Sequence, residues 1–169
     1  MARVPYIEPP DTVPESRRQW NFTRALANSP VAFDAFSKFA ARMGRGTELP
    51  ARSREMAVLR VGAMVGSHYE WGRHVPRARA SGFTDDQIRG VRSGDVSTLD
   101  AQEQVAVRVA EAVEHGTMSD ALWTSALAHF TPSQLTELVL LSSMYGMVSR
   151  FLNAIDVDLD DDIAGLSTP

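Results

Sequence analysis

Nine residues, "GSHYEWGRH" at 66–74, set a serine, two histidines, a glutamate and two aromatic residues directly after a long apolar run. Ser67, Glu70 and His74 stand at i, i+3 and i+7, so a helix would carry all three on one face, with Glu70 and His74 in hydrogen-bonding reach. A carboxylate that holds an imidazole fixes its tautomer and raises its basicity, which is how a general base is poised near neutral pH. Partial burial strengthens that coupling, and Tyr69 and Trp71 are placed to exclude water or to touch a ligand. The same residues also satisfy a purely local reading. Gly66 stops one helix, Ser67 caps the next, and Glu70 completes an S-x-x-E capping box in which each side chain satisfies a backbone N–H. His74 then pairs with Glu70 across the helix surface, and no chemistry is required.

A further carboxylate bears on the choice. Glu55 heads a stripe of Val58, Leu59 and Gly62 at i+3, i+4 and i+7, with no other charge downstream on that face. A carboxylate aimed at an apolar interior needs a partner. Arg52, at i−3, offers an ordinary surface ion pair of little worth. His74 offers another, because a turn at Gly66 folds the two helices back on each other. On residue chemistry alone, the capping and the catalytic readings stand level.

The elements that must position these residues are helical. "PESRRQWNFTRALANS" and "SPVAFDAFSKFAARMG" read as a helical hairpin, the second helix capped by Ser29, with Pro30 in its first turn and Gly44 as its stop. "LPARSREMAVLRVGAMVG" is apolar nearly all round and reads as a central helix ending at Gly66. A helix from Ser67 to about Ala80 follows, then Gly82 and a capping box from Thr84 to Gln87. Residues 98–116 form an amphipathic helix, "SDALWTSALAHF" a short one, and the stretch after Thr131, with Pro132 and Gln134, a long one. "FTDDQI" and "FTPSQL" match at four of six places, which two helices started by the same physics explain. No stretch alternates with period two, so the expected class is an all-α bundle of seven or eight helices. Residues 1–169 read as one domain, with a proline-rich N-terminal arm at 1–15 and an acidic, solvated C-terminal tail at 156–169.

Composition narrows the function. A formal charge of −4 gives no long-range attraction for nucleic acid or anionic lipid, so neither is an expected partner. No helix-length apolar span is evident, and the first residues lack a signal peptide's basic start and apolar core; the expected location is cytoplasmic. With no cysteine there is no disulfide, no thiolate nucleophile and no sulfur metal site. His68, His115 and His129 do not combine with His74 into a ligand set, and the aspartates from Asp156 to Asp162 lack the glycine and terminal glutamate of a calcium loop, so no metal and no other cofactor is expected. In the last helix Ser143, Gly146, Arg150 and Asn153 share one face; Arg150 is a secondary candidate for holding a substrate acid.

Glu55, eleven residues, "SHYE", three residues and His74 resemble the alkyl hydroperoxidase D-like group of the carboxymuconolactone decarboxylase superfamily, in which a Glu is followed at that spacing by Cys-x-x-Cys and His. Ser67 and Glu70 stand where the cysteines would be. "LPARSREMAVLRVG", "HVPRARASGFTDDQIRGV" and "LSSMYGMVSRFLNAIDVDLDDD" are also similar to segments of the superfamily, the last to its cysteine-free branch, and the resemblance spans about residues 30–160. It implies an alkyl hydroperoxidase D-like helical bundle and a homo-oligomer, often a trimer or a dimer of trimers, with the site near subunit contacts. Without thiols the peroxidase cycle cannot turn. The decarboxylase members use acid–base chemistry without metal or organic cofactor. The expected function is therefore a cofactor-independent lyase, decarboxylase or isomerase acting on a small organic acid, lactone or carbonyl compound. His74 would be general acid or base, Glu70 its orienter or second proton-transfer group, and Glu55 the relay. Ser67, Tyr69, Trp71 and Arg150 would contact substrate. The competing expectation is a non-catalytic helical oligomer that binds a small ligand or a protein.

Overall fold

The computed structural model describes residues 1–166, which form nine α-helices and a closing 3-10 helix, with no strand among the described residues. In chain order the helices are α1 (Glu15–Arg18), α2 (Asn21–Leu26), α3 (Pro30–Arg45), α4 (Ala51–Val65), α5 (His68–Ala80), α6 (Asp85–Ser93), α7 (Ala101–His115), α8 (Asp120–Leu127) and α9 (Pro132–Ile155); the 3-10 helix spans Asp161–Leu166. The class is the expected one; the additional α-helix comes from the N-terminal region and the 3-10 helix from the acidic C-terminal end. There the chain leaves the helical region at Trp20 (φ −66°, ψ 128°) and breaks the first expected helix into α1 and α2. Gly44 does not stop α3, which continues to Arg45 and is capped by Gly46. A glycine inside a helix costs about 1 kcal/mol relative to alanine, and the burial of Phe33 together with the packing of Phe36 and Phe39 onto the core outweighs it.

The bundle is organised around α4, which packs against α5 and α6 on one side and α7 and α9 on the other. Met56 and Leu59 face the first side and meet Trp71, Val75, Ala78, Phe83, Ile88 and Val91. Ala57, Val58 and Val61 face the second, among Val105, Val109, Leu135, Leu138 and Leu141. A helix buried on both faces must be apolar nearly all round, which is the pattern α4 carries.

Two expectations about the rest of the chain are corrected. An apolar span of helix length does exist: α9 has 24 residues and is long and apolar enough to cross a membrane by length and composition. Here it packs against α4 and α7, and its Ser142 donates to the carbonyl of Leu138 inside the bundle. The acidic end is not simply solvated. Asp160 is 8% exposed, and Ile163 of the 3-10 helix rests on Gly72 of α5, where a Cβ would stand 3.2 Å from the isoleucine. The N-terminal arm wraps onto the same end: the N–H of Arg3 donates to the carbonyl of Ile155 at 2.7 Å, and the Tyr6 hydroxyl donates to Asp158 at 2.9 Å.

Candidate active site

Gly66 adopts φ 68°, ψ 34°, a left-handed conformation that glycine enters without a Cβ clash, and it turns the chain from α4 into α5. The turn uses the first backbone donors of the new segment: the Ser67 N–H donates to the carbonyl of Gly62 at 2.8 Å. The Ser67 hydroxyl accepts from the Glu70 N–H at 3.3 Å. Only this half of the expected capping box forms. At Thr84/Gln87, Asp100/Glu103 and Thr131/Gln134 both reciprocal bonds are present. Because Gly62 already accepts from Ser67, the Glu70 carboxyl is not needed at the cap and turns inward to His74.

Glu55, Glu70 and His74 are 5%, 6% and 3% exposed and form one cluster between α4 and α5. Nδ1 of His74 lies 2.8 Å from Oε2 of Glu55, and Nε2 lies 3.5 Å from Oε2 of Glu70. On the Nε2 side Arg77 brings a guanidinium nitrogen to 3.3 Å. Arg77 can only donate, so Nε2 carries a lone pair and Nδ1 carries the proton that goes to Glu55. This is the tautomer a general base at Nε2 requires.

The two glutamates are driven apart. Burial alone would raise the Glu55 carboxyl, but the hydrogen bond from His74, its charge when protonated, and the guanidiniums of Arg77 and Arg54 outweigh it and hold Glu55 below the ordinary carboxylate value. Glu70 moves the other way. Burial raises it, and the opposing influence of His74, Arg77 and Arg73 does not compensate. A carboxyl held low on one side of an imidazole and one pushed up on the other separate the base-like partner from the acid-like one.

Tyr145 of α9 completes the enclosure, its ring meeting the His74 ring edge to face at 5.0 Å and 88°. Burial and the charge of Glu70 push its hydroxyl well above the usual phenol value, so it remains a neutral donor. Arg54, on α4, donates to the other oxygen of Glu55 at 3.4 Å. Arg54, Arg77 and Tyr145 are the partly exposed members of the cluster, so a ligand meets them before it meets the imidazole. None of the three was singled out as a site residue from sequence. Arg77 could have been, since it follows His74 at i+3 and Glu70 at i+7.

The remaining sequence candidates lie elsewhere. Ser67 is fully buried, its hydroxyl engaged at the cap. The Tyr69 hydroxyl donates to Asp160 and accepts from the Phe22 N–H at 3.3 Å, which ties α5 to the C-terminal segment. Asp160 also pairs with Arg73, whose guanidinium stacks 4.3 Å from the ring of Trp20. Trp71 belongs to the apolar cluster between α4, α5 and α6, and lines a shallow cavity with Val75, Ile88 and Leu166 under Arg79, Arg89 and Arg92. Arg150 is placed on the surface, 59% exposed, paired with Glu114 at 2.7 Å. Glu114 lies so close over Gly146 that a Cβ there would fall 1.9 Å from its carboxylate.

The carboxymuconolactone decarboxylase family model matches residues 30–112, the segment that holds Glu55, Glu70, His74, Arg54 and Arg77 but not Tyr145. No curated protein matches the chain. Among solved structures, a peroxidase-related protein from Silicibacter sp. is similar with a TM-score of 0.81 at 16% identity, over 97% of this chain and 94% of that one. A peroxidase-related protein from Ralstonia eutropha with an alkylhydroperoxidase AhpD core gives a TM-score of 0.78 at 20% identity, over 96% of this chain and 94% of that one. At these identities the likeness is one of fold.

Proposed function

With residues 30–112 matching the carboxymuconolactone decarboxylase family model, we propose that the chain is a cofactor-independent acid–base enzyme of that family, a lyase, decarboxylase or isomerase acting on a small organic acid, lactone or carbonyl compound. The observation that carries the reading is the line Glu55, His74, Glu70, with contacts of 2.8 Å and 3.5 Å on the two ring nitrogens. His74 removes or returns a proton at Nε2, and Glu55 stabilises the imidazolium that forms. Glu70, whose hold on a proton burial strengthens, is the complementary acid. Thiol redox chemistry is not available to a chain without cysteine.

The reading extends to a homo-oligomer, trimer, hexamer or dimer. Its support is the apolar surface left at Trp123 and Leu127 of α8 and Leu140 and Met147 of α9, each at least 38% exposed.

The test is turnover of a panel of lactone acids, β-keto acids and neutral lactones by wild type, His74→Ala and Glu70→Gln. A substrate consumed by wild type, with a loss of about a hundredfold or more in each variant, is the expected result. Equal rates in all three would remove the assigned roles.

A further inference from the structure

Arg77 is the one arginine of the cluster that makes no ion pair among the described residues, although its charge is felt by Glu55 and Glu70. Arg54 faces Glu55, and Arg73, which also faces Glu70, is paired with Asp160 and Asp162. Arg77 has no carboxylate within ion-pairing distance among the described residues; its contact is the lone pair of Nε2 on His74 at 3.3 Å. An arginine that merely snorkels keeps its guanidinium in water. This one turns inward onto a 3% exposed imidazole. Among the described residues Arg54 is engaged by Glu55 and Arg73 by Asp160 and Asp162, which leaves the Arg77 guanidinium without a carboxylate of its own. A half-buried guanidinium that no carboxylate faces at ion-pairing distance is stabilised by one anion.

We infer that Arg77, beside Nε2 of His74, is the recognition site for a single carboxylate of the substrate, so that the ligands of this site are small monocarboxylates rather than neutral compounds or dicarboxylates. The inference rests on the acid–base reading for what happens after binding, but the binding itself does not. A guanidinium presents a planar fork that takes both oxygens of a carboxylate, which a lysine cannot copy. A second carboxylate on the same ligand would meet Glu55, the carboxyl held low, and find no second unpaired guanidinium to receive it. The carbon atoms next to the bound carboxylate are then the ones beside Nε2, and the site selects for chemistry at those carbons.

Binding is read by calorimetry with propionate and benzoate, their amides propionamide and benzamide, and succinate as the dicarboxylate. Wild type should bind at least one of the two acids about tenfold or more tightly than its amide, and propionate more tightly than succinate. Arg77→Gln should erase the preference for acid over amide; Arg77→Lys, which keeps the charge and checks that the site is folded, should retain part of it. His74→Ala should still prefer the acid while losing turnover, which separates binding from catalysis. If wild type shows no preference for either acid over its amide, or Arg77→Gln keeps that preference, the assignment is overturned. Succinate bound as tightly as propionate would overturn the single-anion limit. Failure of the whole substrate panel to turn over, with acid preference intact, would remove the enzyme reading and leave Arg77 as an anion site.

Discussion

Replacing Glu55 by Gln tests the geometry at its centre. The substitution keeps the shape and removes one buried negative charge. Glu55 is 5% exposed, and its strongest contact is the 2.8 Å bond from Nδ1 of His74; Arg54 at 3.4 Å on a partly exposed stem adds little. A hydrogen bond to a charged group contributes about 1.5–3 kcal/mol and a neutral one about 0.5–1.5 kcal/mol, so the exchange should cost about 1–1.5 kcal/mol. In a domain of this size that is a fall of about 2–6 °C in Tm at pH 7.5. The pH dependence fixes the sign. Glu55 sits below its ordinary value of 4.5, so its stabilisation is complete above that value and is lost as pH falls through the lowered one. The gap between wild type and variant should therefore close in acid. Melting curves give the energies, and nitrogen NMR of histidine-labelled protein gives the tautomer: Nδ1–H in wild type, and still Nδ1–H in the variant, since Arg77 continues to donate toward Nε2 and the Gln carbonyl can accept. A variant as stable as wild type at pH 7.5, or a wild-type signal for Nε2–H, would refute the account of how His74 is held.

Glu70→Gln should behave in the opposite sense. Because burial raises Glu70, with His74, Arg77 and Arg73 facing it, the native state loses stability as pH climbs from about 4.5 toward the raised value; the variant should match wild type near pH 4 and melt higher at pH 8, and a lower melting point at pH 8 would contradict this. Asp160→Ala removes the shared acceptor of Arg73, Tyr69 and the Asn21 N–H. Breaking a buried pair costs about 3–5 kcal/mol, so Tm should fall by about 6–20 °C, and subtilisin should cut residues 156–166 sooner, read by mass spectrometry. Unchanged protection would mean the segment is not held by Asp160.

What sequence disclosed and what it hid follow from the range of the interactions. The caps at Ser29, Thr84 and Thr131 and the αL turn at Gly66 are contacts between near neighbours, and residue types alone announce them. The meeting of Glu55 with His74 was legible as one of two partners, since a helix pair joined at Gly66 has little freedom in where its faces meet. The direction of Glu70 was not, because it depends on which acceptor the Ser67 N–H chooses. Tyr145 and Asp160 reach α5 from the far end of the chain and leave no periodic trace near it. Asp160 was hidden further by four neighbouring aspartates, all of which read as solvated. The exposure of Arg150 was hidden for the converse reason: a cation on an apolar helix suggests burial, but the glycine one turn earlier makes room for Glu114 as its partner at the surface.

The Gly66 turn has a consequence for how the molecule comes together. Glu55 and His74 are 19 residues apart in sequence, whereas Arg73 and Asp160 are separated by 87. Closing the shorter loop costs less chain entropy, so the hairpin of α4 and α5 can bring imidazole and carboxylates into register while the C-terminal segment is still unattached. The proton-handling residues then belong to an early, local unit, and the strap made by Asp160 is fastened late.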